Sequence, residues 1–121
     1  MENQKTPSVE QILQMMEQNL GEKPVPMIMM SKLVPEWVPK QAQEGKFVFD
    51  LPNISEKYKH LIIIAAALAA GSKMCTEMYM KKAKKAGITN EEIGEAILTA
   101  PFRTSFNRVC HCLDGIQKIT E

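Results

Sequence analysis

Ser72, Cys75 and Tyr79, in the run Ser72-Lys73-Met74-Cys75-Thr76-Glu77-Met78-Tyr79, form the grouping with the clearest chemical potential in this chain. The run follows an apolar stretch over residues 61–70, and Gly71 separates the two, so Cys75 is expected in the first turn of a new helix. Backbone N–H groups left unpaired at a helix start, together with the macrodipole, favour a thiolate over a thiol. An accessible Cys75 is therefore the expected nucleophile. Ser72 is placed to cap the helix by accepting a hydrogen bond from the N–H three residues on, which belongs to Cys75 itself. At 100° per residue Ser72, Cys75, Tyr79, Ala83 and Ala86 share an arc of roughly 80°. Lys81, Lys82, Lys84 and Lys85 take most of the opposite side. The helix should thus turn its serine, cysteine and tyrosine inward and its lysines to water, and end at Ala86-Gly87 with Gly87 as a left-handed cap residue.

The elements that must position this helix read as helical throughout. Val9, Ile12, Leu13, Met16 and Leu20 recur at helical spacing, Ser8 and Gln11 are spaced as a capping box, and Gly21 closes the segment. Prolines 24, 26, 35, 39 and 52 predict short helices and turns over residues 22–52, with Trp37 anchoring them to the core. Lys46-Phe47-Val48-Phe49 has the composition of a strand but no mate. Asn53 or Ser55 starts the alanine-rich helix that runs to Gly71, too apolar for a surface helix. Thr89 and Glu92 make a second capping box for a helix over 90–99, and Pro101 is expected to open the last helix, to about Ile119.

Composition narrows the function classes. A chain of 121 residues with 45% hydrophobic and 24% charged residues suits a single soluble domain over 1–121. A net charge of +1 supplies no field to recruit nucleic acid or an anionic membrane. The start, Met-Glu-Asn-Gln-Lys-Thr-Pro, has no apolar signal segment, and ten apolar residues are about half of what a bilayer demands. The expectation is a cytoplasmic protein with three reduced thiols and neither nucleic-acid nor membrane partners.

The segment YKHLIIIAAALAAGSKMCTEMYMKKAKKAGITNEEIGEAIL resembles the carboxymuconolactone decarboxylase and alkylhydroperoxidase D family. There an Ala-rich helix precedes a cysteine helix ending in Ala-Gly, followed by a Thr-x-Glu-Glu-Ile start. The resemblance covers about residues 51–100. It implies the all-α fold of that family, assembly as a homo-oligomer (trimer or hexamer), and a small-molecule substrate or thiol reductant with no cofactor. The family's peroxidase branch carries a glutamate on the Ala-rich helix and then Cys-x-x-Cys-x-x-x-His. Anchored on Ala86-Gly87, its first cysteine falls on Ser72, its second on Cys75, its histidine on Tyr79, and its glutamate, twelve residues ahead of the first cysteine, on His60. In that branch the second cysteine attacks the peroxide, the first resolves it as a disulfide, and the other two relay protons. The resemblance thus implies an attacking thiol at Cys75, a hydroxyl at the resolving position, and protic side chains at both relay positions, where His60 can act as a base near neutral pH and Tyr79 can donate a hydrogen bond.

Two readings of these residues stand side by side. In one, the chemistry is rewired around Cys75 as a thiol-dependent reductant of peroxides or disulfides. In the other the site is retired: Cys75 is a small buried hydrophobe, Ser72 only a cap, Tyr79 a packing residue and His60 a residue of the solvated first helical turn. The family's namesake branch, which lacks the cysteine pair, adds a decarboxylase or lactone-processing enzyme as an alternative, and a non-catalytic oligomeric binding protein is a third. Cys110-His111-Cys112 suggests zinc, but in a helix residues two apart point about 200° away from each other and cannot converge on one ion. A metal site would need a second chain, so none is assigned. If the last helix packs near the cysteine helix, Cys110 or Cys112 could take the resolving role. Met27, Met29 and Met30, between prolines, suit an adaptable core or a subunit contact.

Overall fold

The computed structural model describes residues 6–121 and is all-α: six helices and no strand among the described residues. The polar start at residues 1–5, read above as lacking a signal segment, lies outside them. Two compact units divide the chain, Met1–Glu56 and Lys57–Glu121.

The first unit contains α1 (Val9–Leu20), α2 (Val25–Ser31) and α3 (Trp37–Asp50), each in contact with the other two. The Ser8 hydroxyl accepts from the Gln11 N–H while the Gln11 side chain accepts from the Ser8 N–H, the reciprocal box that the spacing predicted. Two expectations fail here. Lys46-Phe47-Val48-Phe49 is the end of α3, not a strand, and the proline-rich stretch holds a helix of 14 residues. Pro39 sits in the first turn of α3, where its missing N–H has no intrahelical partner to lose, so it starts the helix rather than breaking it. Trp37 is only half-buried; its neighbour Val38 is the fully buried anchor.

The second unit is built from α4 (Glu56–Ala69), α5 (Lys73–Lys85) and α6 (Asn90–Thr120), with the first residue of α4 assigned to the other unit. Ile64 of α4, Ala83 of α5, Ile88 of the connection and Ile93 of α6 form its core, flanked by Leu61, Tyr79, Met80 and Ile97. The α5–α6 connection follows from hydrogen bonding. Gly87, at φ 86°, donates to the Lys84 carbonyl at 3.0 Å, and Ile88 donates to the Ala83 carbonyl at 3.1 Å. This paired pattern satisfies two end carbonyls and brings Ile88 onto Ala83, the apolar contact that accompanies such a cap. Thr89 and Glu92 then form the predicted capping box.

The last helix departs from expectation. Instead of one helix over 90–99 and another from Pro101, α6 runs unbroken for 31 residues with Pro101 inside it. A proline removes one N–H and crowds the carbonyl four residues back, which bends or strains a helix without compelling it to end. Beyond Ala100 every described side chain of α6 through Thr120 is exposed.

Glu92 also pairs with Lys57 of α4. Hydrogen bonding to Lys57 first, and then to the Thr89 backbone N–H, pulls the Glu92 carboxyl from its ordinary 4.5 to about 2, while Glu92 raises Lys57. A carboxyl held low in the folded state stabilises it above its ordinary value, and that contribution disappears as the pH falls from about 4.5 towards about 2. The urea midpoint of the native protein should therefore decline more steeply across this window than that of Glu92→Gln, the two converging at the acid end. Parallel profiles would show that the pair adds nothing to stability.

Candidate functional site

The site residues are set by the turn between α4 and α5. An alanine-rich helix end has no side chain with which to satisfy its last carbonyls, so the backbone does so through Gly71, at φ 79°. Gly71 donates to the Leu68 carbonyl at 3.0 Å and Ser72 donates to the Ala67 carbonyl at 3.1 Å. Ser72 then takes an extended conformation and starts α5, its Oγ accepting from the Cys75 N–H at 3.2 Å, as the spacing predicted. The Ser72 carbonyl accepts from the Thr76 N–H at 3.0 Å and the Thr76 hydroxyl at 2.7 Å. Thr76 is buried and was not singled out in the sequence; a hydroxyl four residues beyond a capping serine is the signal that identifies it.

Cys75 and Ser72 are half-buried. Tyr79, one turn beyond Cys75, is half-buried as well and packs against the core of the second unit. Burial raises its phenol above the ordinary value of 10.0, and the negative charge of a Cys75 thiolate pushes the same way. Tyr79 therefore keeps its proton at neutral pH, able to donate a hydrogen bond and unsuited to act as a base. Of the inward arc, Ala83 is fully buried while Ala86 is exposed at the helix cap; Lys81, Lys84 and Lys85 face water and Lys82 is half-buried.

His60 is 4% exposed, so it does not sit in the solvated turn that one reading allowed. It lies one turn before Ile64 on the same face of α4, and Tyr79 packs on the core to which Ile64 belongs. Tyr79 thus borders the cluster that Ile64 of α4 joins, and His60 is buried one turn before Ile64. Lys59, its neighbour, is buried too.

Cys110 and Cys112 are exposed on the distal part of α6. Ala100 is the last buried residue of α6, and from it Cys110 lies roughly 15 Å along the helix axis at 1.5 Å per residue. A disulfide needs Cα atoms within about 7 Å, and all three cysteines are free. Among the described residues no group of three or more His, Cys, Asp or Glu side chains is arranged to hold a metal ion. An open apolar groove of about 490 Å³ runs between α5 and α6, lined by Met80, Ile93, Gly94 and Ile97, and none of the four candidate residues lines it.

The family model described as Carboxymuconolactone decarboxylase family matches residues 39–113, well over half of the chain. The chain belongs to this family. No curated protein matches it. The match to the carboxymuconolactone decarboxylase family reaches beyond the 51–100 segment that carried the resemblance, from α3 into the distal part of α6, and contains His60, Ser72, Cys75 and Tyr79.

The position of Tyr79 can be tested by its ionisation. In a Tyr58→Phe background the remaining phenol should titrate above 10.0 by ultraviolet absorbance. Adding Cys75→Ala should lower the midpoint while leaving it above that value, because burial is the larger cause. An unchanged midpoint in the double variant would place the Cys75 charge out of reach of the phenol.

Proposed function

We propose that this protein is a thiol-dependent reductant of hydroperoxides, with Cys75 as the nucleophile. The observation that carries the reading is a half-buried cysteine in the first turn of α5, its amide held by Ser72, with a protonated phenol one turn away. The Cys75 thiolate attacks the terminal oxygen of the hydroperoxide. An S–O bond forms, the O–O bond breaks, and the departing alkoxide takes a proton to leave as an alcohol. Tyr79 supplies or orients that proton and regains it from solvent, with His60 as the further proton carrier of the site. Ser72, its lone pair engaged by the Cys75 amide, retains a hydroxyl hydrogen to donate toward the thiolate.

With a serine at the resolving position, oxidised Cys75 closes no disulfide within its own helix turn. The cycle is completed by a small or protein thiol outside this chain. It attacks the sulfenic sulfur, water leaves, and a mixed disulfide forms; a second thiol releases the external disulfide and returns Cys75 to its reduced state. The stoichiometry is one hydroperoxide and two thiols to one alcohol, one water and one disulfide. Three free cysteines suit a reducing, cytoplasmic compartment. Large apolar side chains left in water, such as Ile62 of α4, support a closed homo-oligomer.

Brief treatment with sub-stoichiometric peroxide, followed by intact-mass and peptide analysis, tests the reaction. The expected product is one added oxygen on Cys75, reversed by external thiol and absent in Cys75→Ser. Tyr79→Phe should slow peroxide consumption by about a hundredfold or more, the range of a lost proton donor. Ser72→Cys should redirect the product to a disulfide between the introduced thiol and Cys75, two hydrogens lighter, at the cost of about 1 kcal/mol of cap stability. If methionines oxidise while Cys75 stays reduced, the redox reading fails and a decarboxylase or lactone-processing activity, or a binding role, takes its place.

A further inference from the structure

The distal part of α6 presents an apolar stripe to water. Phe102, Phe106, Val109, Leu113 and Ile116 are all exposed, Phe102 by 80%, and Ile119 beside them by 83%. Their spacing of 4, 3, 4 and 3 residues is the alternation that keeps a seam on one side of a helix and turns it towards a partner helix. Just past Pro101 the Thr104 and Ser105 hydroxyls donate to the Pro101 and Phe102 carbonyls of the same helix, so these bonds tie the segment to its own turns. Exposed apolar side chains on this segment total on the order of 700 Å², taking about 150–250 Å² for each full aromatic side chain, against the about 800 Å² per partner of a standard stable interface.

We infer that residues 102–120 of α6 pair with the same segment of a second copy, antiparallel, about a two-fold axis near His111. A two-fold interface is self-complementary, so every layer must match its own reverse. With the axis at 111, Phe106 packs on Ile116 of the second copy, Val109 on Leu113, and Phe102 on Thr120. Each layer then joins a larger side chain to a smaller one, which fills space evenly. Parallel pairing would instead set Phe102 on Phe102 and Phe106 on Phe106 at one end and only aliphatic pairs at the other. Antiparallel pairing also sets the opposed ends of the helix dipoles side by side. No like charges face each other along the flanks, where Arg103 meets Gln117 and Ser105 meets Ile119. Cys110 and Cys112 fall on opposite flanks of the seam, each facing its own counterpart across the axis. A two-fold contact gives an even-numbered assembly: a dimer, or a hexamer where a three-fold axis is also present, and not an isolated trimer. The inference is independent of the redox reading, since it uses no site residue.

Two measurements on the full chain test it. Light scattering at micromolar concentration should give an even number of subunits, and Phe106→Glu with Leu113→Glu should halve that number with helix content by circular dichroism unchanged. Orientation is read by a short bis-maleimide in a background of Cys75→Ser, Cys110→Ser and Cys112→Ser. Arg103→Cys mixed with Gln117→Cys should give a covalent dimer, while either variant alone should give little. A monomer or a trimer in the native protein would overturn the pairing, and so would a mass unaffected by the double substitution. Cross-linking of Arg103→Cys to itself would overturn the antiparallel register.

Discussion

The hydrogen bonds that converge on Ser72 set the geometry of everything around the candidate site. Its N–H donates back to Ala67 and ends α4, its Oγ accepts from Cys75 and starts α5, and its carbonyl accepts twice from Thr76. Gly71 makes the arrangement possible because the turn needs a positive φ, which side chains with a Cβ rarely adopt. The turn therefore fixes in one place where the alanine-rich helix stops, which way the cysteine helix leaves, and which residue occupies its first turn. The placement of Tyr79 follows without further instruction, because it is one helical turn along.

In the proposed reading, the serine at the resolving position is more than a missing thiol. A thiol is a weak hydrogen-bond acceptor, whereas a hydroxyl is among the best helix caps. The substitution removes an internal disulfide partner and in the same stroke strengthens the start of α5 and fixes the Cys75 amide. In the proposed cycle it also leaves the sulfur with no thiol in its own turn to react with, so reduction comes from outside. The two other cysteines are exposed on the distal part of α6, where every described side chain faces water.

What was legible in the sequence was local. Capping boxes at Ser8 and Thr89, the cap at Ser72, the left-handed Gly87 and the helix ends at Gly21 and Gly71 all rest on contacts within five residues, and each is found where spacing placed it. The family resemblance, carried by the same stretch, agrees with the match over 39–113. The failures share a cause: proline was read as a stop signal without regard to its position in the helix. Pro39 lies in a first turn and starts α3, and Pro101 lies inside α6 without ending it. The burial of His60 was likewise out of reach, since a histidine in the first turn or two of an apolar helix can face water or core equally, and only tertiary packing decides.

The unbroken α6 and the small core are one problem with one solution. Among the described residues Ile64, Ala83, Ile88 and Ile93 form the buried centre of the second unit, a modest store of apolar burial for its length. A helix that turned back at Pro101 would fold its apolar stripe onto that centre. A helix that continues instead holds the stripe out as a surface, and surfaces of this kind are covered in small domains by oligomerisation. In the proposed pairing, the stability that α6 does not give to its own unit comes from a second copy. Folding of the distal helix and assembly should therefore be coupled, since a helix of this kind gains most of its stability from the packing of its apolar face.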